Sequence, residues 1–313
     1  MKTAVSLFTG CGGSDTGLTK AGFTVLMAND ILAYAKDVYE ANLPKTDYQL
    51  GSINSIMKFP KADLLAGCYP CQGFSQGGAR KAGRKLNYLY VEFARALRII
   101  KPKAFIVENV SGMIRSDFKH LLDDQIKLFT EAEYRVVYNV LNASEYGVPQ
   151  ERKRIFIVGI RNDYGIDYCF PSPTHGPGRS NDFVSIKTAI GDMNLWPSGE
   201  FHEDDFHWYY MSRNRWRGWE ELSKTIVSHP RHMPLHPVSP RLVRIHTDKW
   251  IWEHDGPKRR FSYNEAARLQ GFGRDFFLPD TNNSNMRMKY QVVGNAVPPQ
   301  LFKEVAISLP EIW

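Results

Sequence analysis

The chain of 313 residues predicts an α/β fold, a doubly wound, mostly parallel sheet joined to a second, smaller module. Three observations carry that expectation. Short apolar runs alternate with helical patterns through the first half. The first run ends in a glycine-rich turn. After about Pro171 the regular periodicity stops and the charge balance changes.

The elements follow in order. "AVSLF" (4–8) reads as a buried strand, and Ser14 is placed to cap a helix through about Ala21. "FTVLMAN" (23–29) reads as a second strand, followed by a helix over about Ala33–Ala41. "ADLLAG" (62–67) is a third strand-like run. "YLYVEFARALRII" (88–100) has helical spacing and is ended by Pro102. "AFIVEN" (104–109) is a strand and "FKHLLDDQIKLFTEA" (118–132) a helix. "YRVVYNVLN" (134–142) and "RIFIVGI" (154–160) close the series as strands. "PSPTHGPGRS" (171–180) reads as a linker or loop. A short helix is expected in "SYNEAARLQGF" (262–272). The tail "YQVVGNAVPPQLFKEVAISL" (290–309) reads as strand-like, then helical from about Pro299. No internal repeat or low-complexity tract is present.

Composition bounds the function. At 43% hydrophobic, the chain can bury one large core, or a core plus a small module. No apolar run approaches ~20 residues, so no membrane span is expected. "MKTAVSLFTGCGG" lacks a small-residue cleavage pattern and reads as a first strand, not a signal peptide. Four cysteines are too few for a disulfide framework, which points to a reducing cytoplasm.

The net charge is +7 and the pI is 9.1. From Arg213 to Arg260 eleven Lys and Arg face only five acids. Tyr209, Tyr210, Trp216, Trp219, Trp250 and Trp252 are interleaved with them. A local basic surplus with aromatic side chains suits a polyanion-binding face.

The turn "FTGCGGSDTGL" (8–18) lies between a strand and a helix. Its glycines allow unusual dihedrals and close approach of a ligand. The helix start offers N–H groups to an acid or phosphate. The spacing is not G-x-G-x-x-G, which weakens a nicotinamide-cofactor reading. Asp30, at the end of the second strand, is where an acid reaches ribose hydroxyls in such folds. By itself the loop fits a tight structural turn as well as a nucleoside site.

"LLAGCYPCQGFSQGG" (64–78) holds Cys68 and Cys71 in C-x-x-C spacing. A zinc site needs four ligands, and Cys11 and Cys169 are distant singles. No metal is expected. A redox pair normally opens a helix, whereas this one follows a strand and enters a loop. Cys71, directly after Pro70, is the candidate working thiol, with Cys68 packed at the strand end.

Taken together, these stretches resemble the C5-cytosine DNA methyltransferases. "FTGCGG" resembles the family's cofactor loop and "PCQGFS" its nucleophile loop. "ENV" (108–110) resembles the acid motif and "QERKR" (150–154) the paired-arginine motif. "RRFSYNEAARLQGF" (259–272) and "GNAVPP" (294–299) match two late motifs. All six stand in the family's order across essentially the whole chain.

The resemblance implies a class I S-adenosylmethionine-dependent methyltransferase domain, Rossmann-like, over 1–175 and completed by 284–313. A target-recognition domain over 176–283 would lie between, with double-stranded DNA in the cleft. It implies transfer of a methyl group from S-adenosylmethionine to C5 of a flipped cytosine through a covalent Cys71–C6 bond. A free cysteine is only a few per cent thiolate at pH 7, so Cys71 would need positive charge or dipoles nearby. Glu108 would contact the ring N3 and N4 edge, and Arg154, supported by Arg152, the O2 side. Cofactor contacts would fall at Phe8, Gly10, Gly12, Gly13, Asp30, Ile53, Leu89, Asn295 and Val297.

One departure stands out. In "LGSINSI" (50–56) the family usually has an acid facing the adenine amino group, and this chain has Ser52. Retained but weaker cofactor binding is the expectation. Unstacking the target base costs a few kcal/mol. The Gly-rich, basic loop 72–85, with Ser75 and Gln76, would close over the DNA.

"YYMSRNRWRGW" (209–219), "SKTIVSHPR" (223–231) and "LHP" (235–237) resemble GGCC-methylating members. Arg213, Arg215 and Arg231 are therefore the candidates for base or phosphate contacts. The implied partner in function is a cognate restriction endonuclease. The chain is expected to act as a monomer, with an accessory chain left open. Three competing readings are a tRNA-directed member, a non-catalytic DNA-binding relative and a nicotinamide oxidoreductase. The long basic insert opposes the first. The presence of Cys71, Glu108 and both arginines opposes the second, and the glycine spacing opposes the third.

Overall fold

A computed structural model describes residues 1–70 and 88–313. Two compact units emerge. The first comprises Met1–Asn142, Lys153–Ser172 and Leu301–Trp313, and the second Ala143–Arg152 and Pro173–Gln300.

The first unit is built on a seven-stranded sheet. Its strands are β1 (Lys2–Leu7), β2 (Phe23–Asp30), β3 (Asp47–Leu50), β4 (Leu64–Gly67), β5 (Ala104–Val110), β6 (Tyr134–Asn142) and β7 (Lys153–Arg161). The order is β3-β2-β1-β4-β5-β7-β6. All pairings are parallel except those of β7, which runs antiparallel to both β5 and β6. The order reverses between β1 and β4, where open α/β sheets bind ligands beyond the strand C-termini.

Helices α1 (Gly13–Lys20), α2 (Ala33–Asn42), α3 (Tyr90–Ile100) and α4 (Lys119–Glu131) connect the strands. Leu64–Gly67 and Ala104–Glu108 are buried throughout, which explains their unbroken apolar character. The core centres on Phe93, Phe105 and Phe129, packed edge-on at 4.9–5.9 Å. Phe105 pairs across the ladder with Gly159, where a Cβ would fall 2.1 Å from its ring.

The second unit carries α5 (Ile186–Ile190), the hairpin β8 (Leu242–His246) and β9 (Lys249–Trp252), α6 (Tyr263–Leu269) and α7 (Met286–Asn295). Helix α8 (Pro299–Ile307) leads into the C-terminus. Ser262 caps α6 reciprocally with Glu265. Glu265 also accepts two hydrogen bonds from the buried Arg259 guanidinium, each at 2.7 Å.

Two expectations are corrected and two elements were not anticipated. Ser14 does not cap α1. The N-cap is Gly12 at φ 87°, and Ser14 sits inside the helix with its hydroxyl on Asp15. The stretch from 290 to about Pro299, read as strand-like, instead begins with the second half of α7, which runs to Asn295. The β-branched Val292 and Val293 are buried on that helix, and Asn285 caps it through Met288 N–H. Edge strand β3 and the hairpin β8–β9 lack a legible apolar pattern, because most of their residues are exposed.

A Cβ on Gly294 would fall 2.3 Å from the Val227 carbonyl group and 2.4 Å from Ser228 N. Backbone cannot yield there as a side-chain tip can. Gly294→Ala is expected to cost about 1–3 kcal/mol by overpacking, read as a lower thermal midpoint. An unchanged midpoint would show that the contact can relax.

Candidate active site

The site in the first unit is assembled at the C-terminal ends of β1, β2, β4 and β5. Leaving β1, the chain takes left-handed backbone at Phe8 (φ 58°), Gly10 (φ 57°) and Gly12 (φ 87°). At Gly12 a Cβ would meet Tyr39 and Leu43 at 2.9 Å. At Gly10 it would meet no atom of the described residues within 4 Å, so among them the loop borders open space there. Gly13 opens α1 and is buried.

Asp30 braces this loop. Its Oδ2 accepts from Gly10 N–H at 2.9 Å, and its Oδ1 from Ile31 N–H at 2.7 Å and Leu32 N–H at 3.0 Å. Burial pushes its pKa up against those three bonds. A carboxylate accepts about four hydrogen bonds, so Oδ2 can take one more donor, such as a ribose hydroxyl.

Beneath the loop lies Asp15, which the sequence reading passed over. It is fully buried and accepts hydroxyl hydrogen bonds from Ser6 (2.5 Å), Thr9 (2.7 Å), Ser14 (2.9 Å) and Tyr39 (2.8 Å). These donors belong to β1, the loop, α1 and α2, so one carboxylate ties four pieces together. Desolvation raises its pKa, opposed by those bonds.

The turn at 52–56 is fixed from below. Arg95 on α3 donates to Ile53 O and Ile56 O, each at 3.0 Å, and is itself held by Glu92 at 2.7 Å. Ile53 is buried, whereas Ser52 is exposed and accepts a long 3.4 Å bond from Asn54 N–H. Leu89 is the N-cap residue of α3 and packs on the core. This cradle fits a nucleoside cofactor: open space above a glycine, a carboxylate with acceptor capacity, and a pinned apolar turn.

Glu108 and Arg154 meet at 3.0 Å, nearly excluded from solvent. The ladder explains the meeting. Val110 pairs with Arg154, and Glu108 is two residues before Val110, on the same face. The pair is therefore diagonal across β5 and β7. Burial lowers the Arg154 pKa and the Glu108 charge opposes that shift.

The neighbouring Asn109 donates to Tyr69 O at 3.1 Å, and the Tyr69 hydroxyl donates to Gln125 at 2.5 Å. The ring of Tyr69 stands edge-on to Phe8. Chain entry to position 71 is thus anchored two residues earlier. Cys71, Ser75 and Gln76 lie outside the described residues. Cys68, half-buried, continues the strand pairing through its N–H to Leu7 O at 3.1 Å. Burial, then the Glu108 and Asp15 charges, push its thiol well up. Cys11 is buried and its thiol is pushed up to about 12. Neither has the environment of a working thiolate.

Arg152 plays a different part from Arg154. It is buried in the second unit, donating to Ile226 O (3.0 Å), Gly294 O (3.1 Å) and Ala296 O (3.1 Å). It thereby shapes the "GNAV" stretch, in which Asn295 is exposed and Val297 buried.

Among the candidate nucleic-acid contacts, Arg213 is exposed over the Tyr209 ring. Arg215 is half-buried and bonded to His232 O at 3.1 Å. Arg231 is held by Asp204 at 2.8 Å. Among the described residues no group of three His, Cys, Asp or Glu could hold a metal ion. No helix described is long and apolar enough to cross a membrane.

Comparison with known proteins identifies the family. The family model of C-5 cytosine-specific DNA methylases matches residues 2–311. The type II methyltransferase M.BsuRI of Bacillus subtilis is 36% identical, over 96% of this chain and 78% of its own length. M.MthTI of Methanothermobacter thermautotrophicus is 36% identical, over 96% and 94%. The fold matches S. pombe Dnmt2 methyltransferase with a TM-score of 0.71 at 16% identity, covering 98% and 97% of the two chains. A Dnmt2 mutant of Spodoptera frugiperda matches at 0.67 and 18% identity, covering 97% and 98%.

The buried Asp15 generates a signed prediction. Because its folded pKa is raised, the folded state binds a proton more readily than the unfolded state. Stability contributed by that proton is present at low pH and is lost as pH rises through the raised value. The thermal midpoint of the parent protein minus that of Asp15→Asn should therefore increase as pH falls from 7 towards about 4. A difference independent of pH would contradict the burial argument.

Proposed function

The chain belongs to the C-5 cytosine-specific DNA methylases, a family using S-adenosylmethionine, and we propose that it methylates a flipped cytosine in one duplex site through a Cys71–C6 bond. It is a DNA cytosine-5 methyltransferase of the type II restriction–modification kind. The finer reading is ours: the target contains GGCC, and its methylation protects DNA from a cognate endonuclease.

S-adenosylmethionine, when bound, supplies an electrophilic methyl group on a sulfonium. The Phe8–Gly13 loop, Asp30, Ile53 and Leu89, together with Asn295 and Val297, are assigned to hold it. Cytosine C5 is a poor nucleophile while the ring is aromatic. Addition of the Cys71 thiolate to C6 makes an enamine whose C5 is nucleophilic. Glu108, at the N3 and N4 edge, hydrogen-bonds the ring as charge spreads into it. Arg154 fixes the Glu108 carboxylate and reaches the O2 side. Once C5 is substituted, it loses its proton and Cys71 leaves, restoring aromaticity. Arg152 acts as a positioning residue.

The observation that carries this reading is the buried Glu108–Arg154 pair, with Asn109 beside it tethering Tyr69 two residues before Cys71. We assign catalysis to 1–175 with 284–313 and target recognition to 176–283. Arg213, Arg215 and Arg231 would contact DNA there, and Ser75 and Gln76 would do so from the loop after Cys71.

Bisulfite sequencing of DNA from cells expressing the chain tests activity, target base and site together. Unmethylated cytosine throughout would overturn the proposal, and methylation outside GGCC would overturn only the site. Cys71→Ser should abolish transfer, and a 5-fluorocytosine duplex with cofactor should trap a covalent adduct at position 71. Glu108→Gln should lower the rate by about 10²–10³-fold, the usual effect of losing one preorganised polar group at a reacting centre.

Ser52→Asp would restore a charged acceptor for the adenine amino group. It should tighten cofactor binding by about 1 kcal/mol, or roughly fivefold. Calorimetry showing no change or a loss would count against it.

A further inference from the structure

Within the second unit, residues distant in sequence form an outward-facing cluster of rings. His207 stacks on Tyr209 with an interplanar angle of 10° and stands 6.0 Å from His232. His232 lies 5.3 Å from His229 and 5.5 Å from Tyr209. Trp208 meets Tyr209 edge-on and is 82% exposed. His207, His229 and Arg213 are exposed, and His232 is half-buried. A core cluster would have closed over these rings, and this one is left facing water.

The charged groups that act on two of these rings are cationic or become so on protonation. The groups acting on His232 are Arg215, His229, His207 and Arg260, and those acting on His229 are Arg287 and Arg231. The carboxylate of Asp204 is occupied by Arg231 at 2.8 Å and His202 at 3.1 Å. The His229 Nδ1 accepts from Arg231 N–H at 3.3 Å, so in the neutral ring the proton sits on Nε2.

Resting on the DNA-substrate reading above, we propose that His229 and His232, with the His207 ring packed beside them, form a proton-linked anchor for the phosphodiester backbone of duplex DNA. Burial and the surrounding arginines hold His229 below its ordinary range and His232 down to about 4. A phosphate brought between these imidazoles and the arginines reverses the local field. Each imidazole that gains a proton on binding then adds a charge-assisted contact. DNA affinity rises as pH falls, by up to tenfold per pH unit for each proton taken up. The contact is to phosphate, so it is independent of sequence.

The test uses the full chain with two duplexes, one containing GGCC and one with that site scrambled. Filter binding is measured at pH 7.5 and 5.5 at constant ionic strength. The parent protein should gain affinity on acidification by about threefold or more beyond the triple variant H207Q/H229Q/H232Q. The same excess should be seen on both duplexes. Thermal melting and cofactor binding establish that the triple variant is folded. If it is not, His229→Gln, at an exposed position, is measured singly and should lose part of the response.

An identical pH response in parent and variants overturns the proposal. So does a loss confined to the GGCC duplex at both pH values, which would mean base reading. A parent protein that binds neither duplex at either pH overturns the DNA reading itself, and this proposal with it.

Discussion

Strand β7 runs against its neighbours, and its register on β5 brings Arg154 diagonally onto Glu108. That ion pair is the constraint on which the first unit's site depends. Both groups are nearly excluded from solvent, and deleting one partner of such a pair leaves an uncompensated buried charge, at a cost of about 3–5 kcal/mol. The strand must therefore keep its register, since a slip of one residue would turn Arg154 to the opposite face. The Phe105 ring over Gly159 enforces the same register from the apolar side.

The cofactor cradle follows a similar logic. Asp15 is a charge placed beneath a backbone that must hold left-handed residues. Its four hydroxyl partners offset part of the desolvation cost, and in return they lock β1, the loop, α1 and α2 together. Asp30 does this from the other side through backbone N–H groups. Arg95 pins the 52–56 turn. None of these links touches a reacting atom in the proposed chemistry. Each fixes a group in advance, which is how electrostatic preorganisation is obtained without cost at the moment of reaction.

In the second unit the basic surplus divides by burial. Arg259 is spent on Glu265, and Arg260 on the backbone oxygens of Arg231, His202, Asp204 and Asp205. Arg215 is occupied by carbonyls and Arg231 by Asp204, while Arg213 stands outward. Much of the positive charge counted between 213 and 260 thus builds the unit itself. The histidines beside it add charge only when protonated, so the electrostatics of this face depend on pH in a way that a count of Lys and Arg cannot convey.

The sequence alone determined the alternation of strands and helices, the glycine turn, Asp30 at the end of β2, and the acid and arginine motifs. Each of these is written in contiguous residues, as an apolar run, a turn composition or a fixed spacing. It misread Val292 and Val293 as strand because β-branched pairs favour both buried strands and buried helix faces, and only the cap at Asn285 and the packing around the helix decide between them. The resemblance of "QERKR" to the family's paired-arginine motif grouped Arg152 with Arg154. The tertiary structure separated them, since Arg154 lies within β7 whereas Arg152 precedes it and turns to the carbonyls of Ile226, Gly294 and Ala296. Asp15 and the His207–His229–His232 cluster were decided by the fold alone. Their partners are spread over tens of residues, and burial, which sets what a carboxylate or an imidazole can do, is a property of what packs around it.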